Sequence, residues 1–120
     1  MVNKVILIGN VASDPDVRAS QNGTYVTKVR IATNVYAGKS EDGTAKEHTD
    51  FHNLVFFGKR AETAGSYLHK GMLVYVEGQL RHSSWDDAAS GQKKYWTEVV
   101  VDEFRFLGPK QQQQQPAAAA

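Results

Sequence analysis

The segment Phe51-His-Asn-Leu-Val-Phe-Phe-Gly-Lys59 has the composition of a β-strand. Successive side chains of a strand point to opposite faces, so Phe51, Phe57 and Lys59 share one face and Phe56 lies on the other. One face can supply a core, and the other then carries two aromatic rings and a basic tip. Such an open face suits the flat faces of unpaired bases and the phosphates beside them. A strand buried on both faces, as is common in barrels, is the alternative.

The composition limits the class of protein. A chain of 120 residues fits one domain, and the absence of cysteine excludes disulfides and thiolate metal sites. The N-terminus lacks the plan of a signal peptide, and no apolar run approaches membrane-spanning length, so we expect a cytoplasmic protein. The chain has 14 Lys and Arg residues and 13 Asp and Glu residues. One of these cations, Lys110, lies outside residues 1–108, so that range carries no net charge. Nucleic-acid binding would therefore depend on local placement of cations and on stacking.

Alternating and helical patterns divide the chain into five strands and one helix. Gly9 indicates a bend in the first strand, Asp14-Pro15 breaks it or confines it to an edge, and Asn22-Gly23 predicts a type I′ hairpin turn. Gly71 is predicted to cap the helix. The predicted strands are Asn3–Arg18, Tyr25–Asn34, Phe51–Lys59, Met72–Arg81 and Lys94–Leu107, the predicted helix is Arg60–Lys70, and the polar loops are Val35–Lys46 and His82–Lys93.

This order of elements predicts an all-β fold. Three strands, a helix and two strands, at this length, are the plan of a five-stranded OB-fold barrel with one short helix between strands 3 and 4 and long hairpin loops. We predict one domain over residues 1–108. Residues 109–120, which contain five consecutive glutamines and four alanines, have too little apolar surface to fold and are predicted to be a disordered tail.

Ten short segments, in this order and spacing, resemble the bacterial and mitochondrial type of single-stranded DNA-binding protein. They are Val2-Asn-Lys-Val-Ile-Leu-Ile-Gly-Asn10, Asp14-Pro-Asp-Val-Arg18, Asn22-Gly23, Ile31-Ala-Thr33, Phe57-Gly-Lys59, Ala61-Glu62, Tyr67-Leu68 with Lys70-Gly71, Val74-Tyr-Val-Glu-Gly-Gln-Leu-Arg81, Trp85 and Thr97-Glu-Val-Val-Val101. The resemblance covers roughly residues 1–108 and implies sequence-independent binding and protection of single-stranded DNA in replication, recombination and repair. It also implies a homotetramer built as a dimer of dimers, with no cofactor, no metal and no enzymatic activity.

The resemblance also implies which residues bind DNA. Phe51, Phe57 and Trp85 match three of the family's four stacking positions, whereas the fourth falls on Ala37, one residue after Tyr36. Adding Trp96 and the nearby cations, the expected DNA-binding residues are Tyr36, Phe51, Phe57, Trp85, Trp96, Lys28, Arg30, Lys59, Lys70 and Arg81. The expected oligomer interface is Asn3, Lys4, Ile6, Ile8, His52, Tyr75, Glu77 and Gln79.

Three departures from the family pattern change these expectations. The usually basic segment before Trp85 reads His82-Ser-Ser84, so this loop should hold phosphate less strongly. Trp96 stands where a small residue is common, and it either adds stacking area or packs on a neighbour such as Tyr25. The family's acidic tip, which recruits replication and repair enzymes, is replaced here by alanines, so we do not expect recruitment of that kind.

Other interpretations start from the same residues. His48 and His52 could share a metal ion on a helix, but on a strand they stand roughly 13 Å apart, which is too far for one ion. An OB-fold adaptor that binds partner proteins first and DNA weakly fits the missing acidic tip, whereas Phe51, Phe57 and Trp85 oppose it. A purely structural oligomer would bind no nucleic acid.

Overall fold

The computed structural model describes residues 1–108, so the predicted tail at 109–120 lies outside the described residues. Six strands and one helix follow one another along this part of the chain. They are β1 (Val5–Val11), β2 (Asp16–Ala19), β3 (Tyr25–Lys39), β4 (Ala45–Phe57), α1 (Lys59–Tyr67), β5 (Leu73–Asp86) and β6 (Lys93–Phe106).

The strands form a closed ring in the order β1-β5-β6-β4-β3, because β1 also pairs with β3, and β2 extends the sheet beyond β3. Two three-stranded sheets, β1-β5-β6 and β2-β3-β4, therefore meet at two short seams. At one seam Asn10 and Val11 pair with Ala32 and Ile31, and at the other β4 and β6 pair in parallel over Leu54–Val55 and Val99–Val100. The predicted all-β OB-fold barrel is confirmed.

The first predicted strand is two strands, with residues 12–15 between them. Proline has no N–H to give to a ladder, so Asp14-Pro15 interrupts the pairing before β2 resumes it against β3. Gly9 lies where β1 leaves β5 for β3, and a Cβ on it would be 2.5 Å from the carbonyl oxygen of Ala32. The bend predicted at Gly9 therefore needs a residue without a side chain.

The helix is shorter than predicted, and Gly71 does not cap it. Helix α1 ends at Tyr67, and Leu68 is already extended, with its N–H donating to the carbonyl of Ala64 at 3.0 Å. Leu68 is buried in the core, so the chain gains more from burying this side chain than from another helical turn. Gly71 has a positive φ of 95°, but its N–H donates to Val11 at 2.7 Å and so ties the turn to β1.

The two predicted polar loops are mostly strand. Strands β3 and β4 continue as a paired hairpin to Lys39 and Ala45, and β5 and β6 continue to Asp86 and Lys93. Polar residues in these arms lack a core-facing pattern because the arms extend beyond the barrel, and cross-strand hydrogen bonds stabilise them instead.

The turn at residues 20–24 also differs from the prediction. The N–H of Gly23 donates to the carbonyl of Ser20 at 3.0 Å, so Gly23 follows the turn and is not one of its two central residues. Ser20 in turn donates its N–H to Thr24 at 2.7 Å. This is a three-residue hairpin loop with glycine at the left-handed position, and the predicted type I′ turn at Asn22-Gly23 is wrong.

The core fills the inside of the ring and is closed by α1. Phe56, one of its largest members, is fully buried and meets Phe104 edge-to-face at 5.0 Å between ring centroids. The cluster is Val11, Val29, Ile31, Leu54, Phe56, Ala61, Ala64, Leu68, Val74, Val76, Val99 and Val101. Because alternate residues of each strand face inward, the remaining side chains of β3 to β6 form the outer face of the barrel.

Candidate nucleic-acid interface

The outer face across β5 and β6 carries three cross-strand pairs. Arg81 lies opposite Glu98, Ser83 opposite Trp96, and Trp85 opposite Lys94. Their neighbours along each strand, such as Val99, point into the core, which fixes these side chains on the outside.

The outer face across β3 and β4 carries the other rings and cations. Arg30 lies opposite Asn53 and Ala32 opposite Phe51, so Arg30 is the diagonal neighbour of the Phe51 ring. Lys28 lies opposite Val55, which is buried despite sharing its strand face with the two phenylalanines. Since β4 pairs with β6, these groups border those of β5 and β6 across one seam.

The aromatic side chains on this face are accessible. Phe51 is 55% exposed, Phe57 38%, Trp85 51% and Trp96 40%. Phe56, one position from Phe57, has no exposed surface. The strand that opened the sequence analysis therefore has one core face and one face with open rings, and the alternative of burial on both faces is wrong.

Two of the rings have an arginine over them. The guanidinium carbon of Arg30 is 4.9 Å from the centroid of Phe51, and that of Arg81 is 5.6 Å from the centroid of Phe57. Both distances are within cation–π range. Each pair places a positive charge beside a surface on which a base can stack.

Trp96, Glu98 and Arg81 form a hydrogen-bonded cluster. The indole Nε1–H of Trp96 donates to Oε1 of Glu98 at 3.0 Å, and Nη2 of Arg81 donates to Oε2 at 2.6 Å. Burial raises the pKa of Glu98, but the hydrogen bonds from Arg81 and Trp96 and the charges of Arg81 and Lys28 outweigh burial and leave the pKa below its usual value. Glu98 is therefore a carboxylate at neutral pH.

Clefts around Trp96 join these groups into one surface, which we call the aromatic groove. It is lined by Lys28, Arg30, Phe51, Asn53, Ser83, Trp85, Trp96 and Glu98. The cleft between Trp85, Trp96 and Lys28 has a volume of about 400 Å³. Asp14 and Asp16 stand at its end near β2, so one margin is acidic.

Some of the expected DNA-binding residues lie outside the aromatic groove. Tyr36 is exposed on the β3–β4 arm, on the same strand face as Arg30 but opposite Glu47, well beyond the barrel. Lys59 begins α1, and Lys70 lies in the turn before β5. Phe57 and Arg81 adjoin the groove through the contact of Arg81 with Glu98.

Sequence reasoning missed Glu98 and Tyr95. Glu98 connects Trp96 with Arg81. The sequence signal for its position is that it follows Trp96 by two residues on one strand, which puts both side chains on the same face. Tyr95, which is 73% exposed, lines the cleft between Phe51 and Trp96. By strand alternation, Tyr95 lies on the face opposite that of Trp96. The sequence pattern alone predicts that this opposite face points into the core.

Four of the residues expected at an oligomer interface, Ile6, Ile8, Tyr75 and Glu77, lie on the outer face of β1 and β5. Ile6 and Ile8 are exposed there opposite Glu77 and Tyr75. Lys4 pairs with Glu77 at 2.7 Å, and Tyr75 donates its hydroxyl to the same carboxylate at 2.8 Å. The hydrogen bond and charge of Glu77 raise the pKa of Lys4, and hydrogen bonds from Lys4 and Tyr75 lower the pKa of Glu77.

Three other residues expected at that interface have different surroundings. Asn3 forms two hydrogen bonds with the backbone of Leu80, at 2.9 and 3.0 Å, and so prolongs the pairing of β1 with β5. His52 is half-buried, with its Nε2 2.9 Å from Oγ1 of Thr33 in the same chain. Gln79 is exposed beside Glu77 on β5.

The two histidines considered for a shared metal ion lie on one strand. His48 and His52 lie on β4, which confirms the strand interpretation, and Nε2 of His48 is 3.0 Å from Oδ1 of Asp50. Within residues 1–108, no three His, Cys, Asp or Glu side chains come close enough together to hold a metal ion. No helix in the same range is long and apolar enough to cross a membrane.

Five strands close into a ring, and α1 follows β4, the third of these strands in chain order. This arrangement, with an outer groove of rings and cations, defines an OB-fold protein with a binding face on the barrel. Residues 2–107 match the model of the single-strand binding protein family, and the chain belongs to this family.

Two of the relatives that resemble this chain are named single-stranded DNA-binding protein. The protein of Xylella fastidiosa (strain Temecula1) is 43% identical over 107 residues, which are 89% of this chain and 64% of the relative. That of Xanthomonas axonopodis pv. citri (strain 306) is 46% identical over 107 residues, again 89% of this chain and 58% of the relative. The chain thus spans about three-fifths of the length of these relatives.

A solved structure of a Plasmodium falciparum SSB in complex with single-stranded DNA has the same fold. It superposes with a TM-score of 0.79 at 30% sequence identity, covering 90% of this chain and 97% of that one.

Proposed function

We propose that this protein binds single-stranded DNA without sequence preference, through the aromatic groove. The observation that carries the proposal is the set of four accessible rings, Phe51, Phe57, Trp85 and Trp96, that lie among cations on one outer face. Family membership and the Plasmodium complex support the same conclusion.

Stacking supplies most of the proposed binding energy. Each base stacked on an aromatic ring contributes ~1–3 kcal/mol, and four rings would contribute on the order of 4–12 kcal/mol before ordering costs. Every base has a π-face, so this term discriminates little between sequences. Duplex DNA hides these faces inside the helix, and the groove therefore favours single strands.

Charge has a smaller part because the described chain carries no net charge. Lys28 and Arg30 line the groove, Lys94 lies opposite Trp85 beside it, and Lys59 and Lys70 lie outside its lining. Each phosphate that such a cation neutralises adds about 0.7 to the slope of log K against log salt. Tyr36 on the β3–β4 arm would reach DNA that leaves the groove.

The proposed assembly is a homotetramer arranged as a dimer of dimers. Ile6 and Ile8 form an exposed apolar strip on β1, and the Lys4–Glu77 pair beside it offers a polar rim. A second copy of the chain is the proposed partner of this surface. Tetramers would present several aromatic grooves to one strand of DNA.

The proposed setting is DNA replication, recombination and repair in the bacterial cytoplasm, in association with the nucleoid, where the protein protects exposed single strands. The bacterial relatives support this setting. The proposed role is binding and not catalysis, and no membrane is involved. Replication and repair enzymes are further proposed partners.

Tryptophan fluorescence tests the proposal directly because Trp85 and Trp96 both line the groove. Titration with oligo(dT) should quench the emission strongly and to saturation, whereas a DNA duplex of equal length should quench it weakly. A protein adaptor with the same fold would show little change with either ligand, and that result would exclude the proposed function.

Phe51→Ala is the matched variant for this titration. It removes an exposed ring that does not contribute to tryptophan emission, so both reporters are kept. The affinity for oligo(dT) should fall by roughly 5- to 150-fold, the equivalent of ~1–3 kcal/mol. Tyr67→Ala removes an equally exposed ring next to the end of α1, outside the groove, and should leave affinity unchanged.

A further inference from the structure

Glu98 is the one buried carboxylate on the binding side of the described barrel. Glu98 is 7% exposed, and it lies between the exposed side chains of Trp96 and Arg81. A buried charge is strongly unfavourable unless it is paired and hydrogen-bonded. A carboxylate beside a path for phosphates is also electrostatically unfavourable, so its place in this groove requires an explanation.

Both oxygens of Glu98 have a partner. Oε1 accepts from the indole of Trp96 at 3.0 Å, and Oε2 accepts from Arg81 at 2.6 Å. The first bond fixes the rotation of the indole ring in the floor of the groove, since the ring has a single N–H donor. The second bond holds the guanidinium within 5.6 Å of the Phe57 ring.

The pairing changes the role of Arg81. With Glu98 it forms a neutral unit, and its side chain is half-exposed while that of Glu98 is not. A phosphate approaching Arg81 would meet the field of the adjacent carboxylate. Lys28, which lines two clefts together with Trp96, and Arg30, which lines one of them, are left as the cations of the groove.

We propose that Glu98 is a positioning residue that holds Trp96 as a stacking platform and neutralises Arg81, so that Arg81 supports the Phe57 ring and does not bind a phosphate. The inference rests on the proposed function and refines it. It reassigns one of the expected phosphate ligands and gives Trp96, which departs from the family pattern, a fixed place in the groove.

The salt dependence of oligo(dT) binding tests this assignment. Glu98→Gln should free the charge of Arg81 for a phosphate and make the slope of log K against log salt steeper by about 0.7. The double variant Arg81→Gln/Glu98→Gln should return the slope to that of the wild type. If Arg81 already neutralises a phosphate in the wild type, the double variant will instead be shallower by about 0.7, and the assignment is wrong.

Glu62→Gln is the control for net charge. It also removes one negative charge, but Glu62 is an exposed residue of α1 outside the groove lining. Its effect on the slope should be much smaller than that of Glu98→Gln. Equal effects in the two variants would show a general charge effect and would overturn the assignment.

A second measurement examines Trp96 in the free protein. Hydrogen exchange of its indole N–H should be slower than that of Trp85, for which no indole hydrogen bond is found within residues 1–108. Glu98→Ala should remove this protection. Equal exchange at the two indoles of the wild type would contradict the positioning role.

These outcomes separate the two proposals. Absence of oligo(dT) binding by the wild type would overturn the proposed function and this assignment together. Strong binding combined with a shallower slope of the double variant would overturn the assignment alone.

Discussion

Phe56 and Phe57 are neighbours in the chain but lie on opposite sides of the barrel wall. Phe56 is fully buried against Phe104, whereas Phe57 is 38% exposed beneath Arg81. Alternation along one strand thus separates a residue that holds the fold from one available to a ligand. The sequence was sufficient to predict this separation because it depends only on the two-residue period of a strand.

Substitutions at these two positions should have opposite consequences. Phe56→Ala should lower the free energy of unfolding by about 3–5 kcal/mol, because it removes a fully buried ring and leaves a cavity. Phe57→Ala should cost much less stability but weaken oligo(dT) binding by ~1–3 kcal/mol. Urea denaturation and fluorescence titration measure the two effects.

Phe56→Leu serves as a milder substitution should the alanine variant not fold. It should lose stability but keep its affinity for oligo(dT) at temperatures where it is folded. Loss of affinity in folded Phe56→Leu, or a large loss of stability in Phe57→Ala, would contradict the division of roles.

Other residue roles could not be predicted from the sequence. The contact of Glu98 with Arg81 depends on the register of β5 against β6, which places these two residues opposite each other. Asn3 is similar, because its hydrogen bonds to Leu80 join residues 77 positions apart. Local patterns indicate which face a residue occupies, but cross-strand partners follow from the whole sheet.

Two turns of the molecule have the same pattern of residues and hydrogen bonds. Ser20-Gln-Asn-Gly-Thr24 and Ser40-Glu-Asp-Gly-Thr44 both pair their Ser with their Thr and both have glycine at a φ of 86°. In each, the serine hydroxyl donates to the Asn or Asp side chain, whose oxygen accepts from the N–H of the threonine. The sequence signal was present, but a two-residue turn was the wrong interpretation of Asn-Gly.

Asp42 should titrate abnormally in the second of these turns. The hydroxyl of Ser40 and the N–H of Thr44 lower the pKa of Asp42 from 3.8 to about 2. Since the pKa is lower in the folded state, the stabilisation is complete above the unfolded value and is lost as the pH falls through about 2. A carboxyl NMR titration should therefore place the midpoint well below that of an ordinary aspartate.

Ser40→Ala tests the cause of this shift. It removes the donor with the largest effect, so the pKa of Asp42 should rise towards its usual value. Thr63→Ala, which alters a hydroxyl on α1, is the matched control and should leave the titration of Asp42 unchanged. A normal midpoint for Asp42 in the wild type would show that the turn does not hold its carboxylate.

At the level of elements, most of the fold could be predicted. Five strands, with one helix between the third and the fourth, follow from alternation, turns and spacing. The ends of the elements could not, because tertiary contacts determine them: burial of Leu68 ends α1, and pairing extends β3 and β4 into the arm. Propensity along the chain does not contain these contacts.

The whole molecule presents two distinct outer surfaces, the aromatic groove and the apolar strip of β1. Ile6 and Ile8 project from the strip, each more than half exposed in the single chain. These side chains do not contribute to the core, and contact with a second copy of the chain in the proposed assembly would bury them.

The variant Ile6→Asp/Ile8→Asp should therefore reduce the oligomeric mass without unfolding the barrel. Burying two carboxylates in an apolar interface is strongly unfavourable, whereas the same groups in water cost little. Light scattering after size-exclusion chromatography measures the mass, and circular dichroism the fold. Val35→Asp, an equally exposed position on the β3–β4 arm, is the control, and an unchanged mass in the double variant would contradict the proposed assembly.

The two seams of the barrel have a consequence for its motions. Backbone pairing joins β4 to β6 over Leu54–Val55 and Val99–Val100 alone within the described residues. The aromatic groove has Lys28, Arg30 and Phe51 on one side of this junction and Trp85 and Trp96 on the other. A nucleic acid stacked on both sides would bridge one of the two short seams of the barrel. Bound oligo(dT) should therefore make local opening of the β4–β6 pairing less frequent. Deuterium uptake at the amides of this junction should slow when oligo(dT) is added.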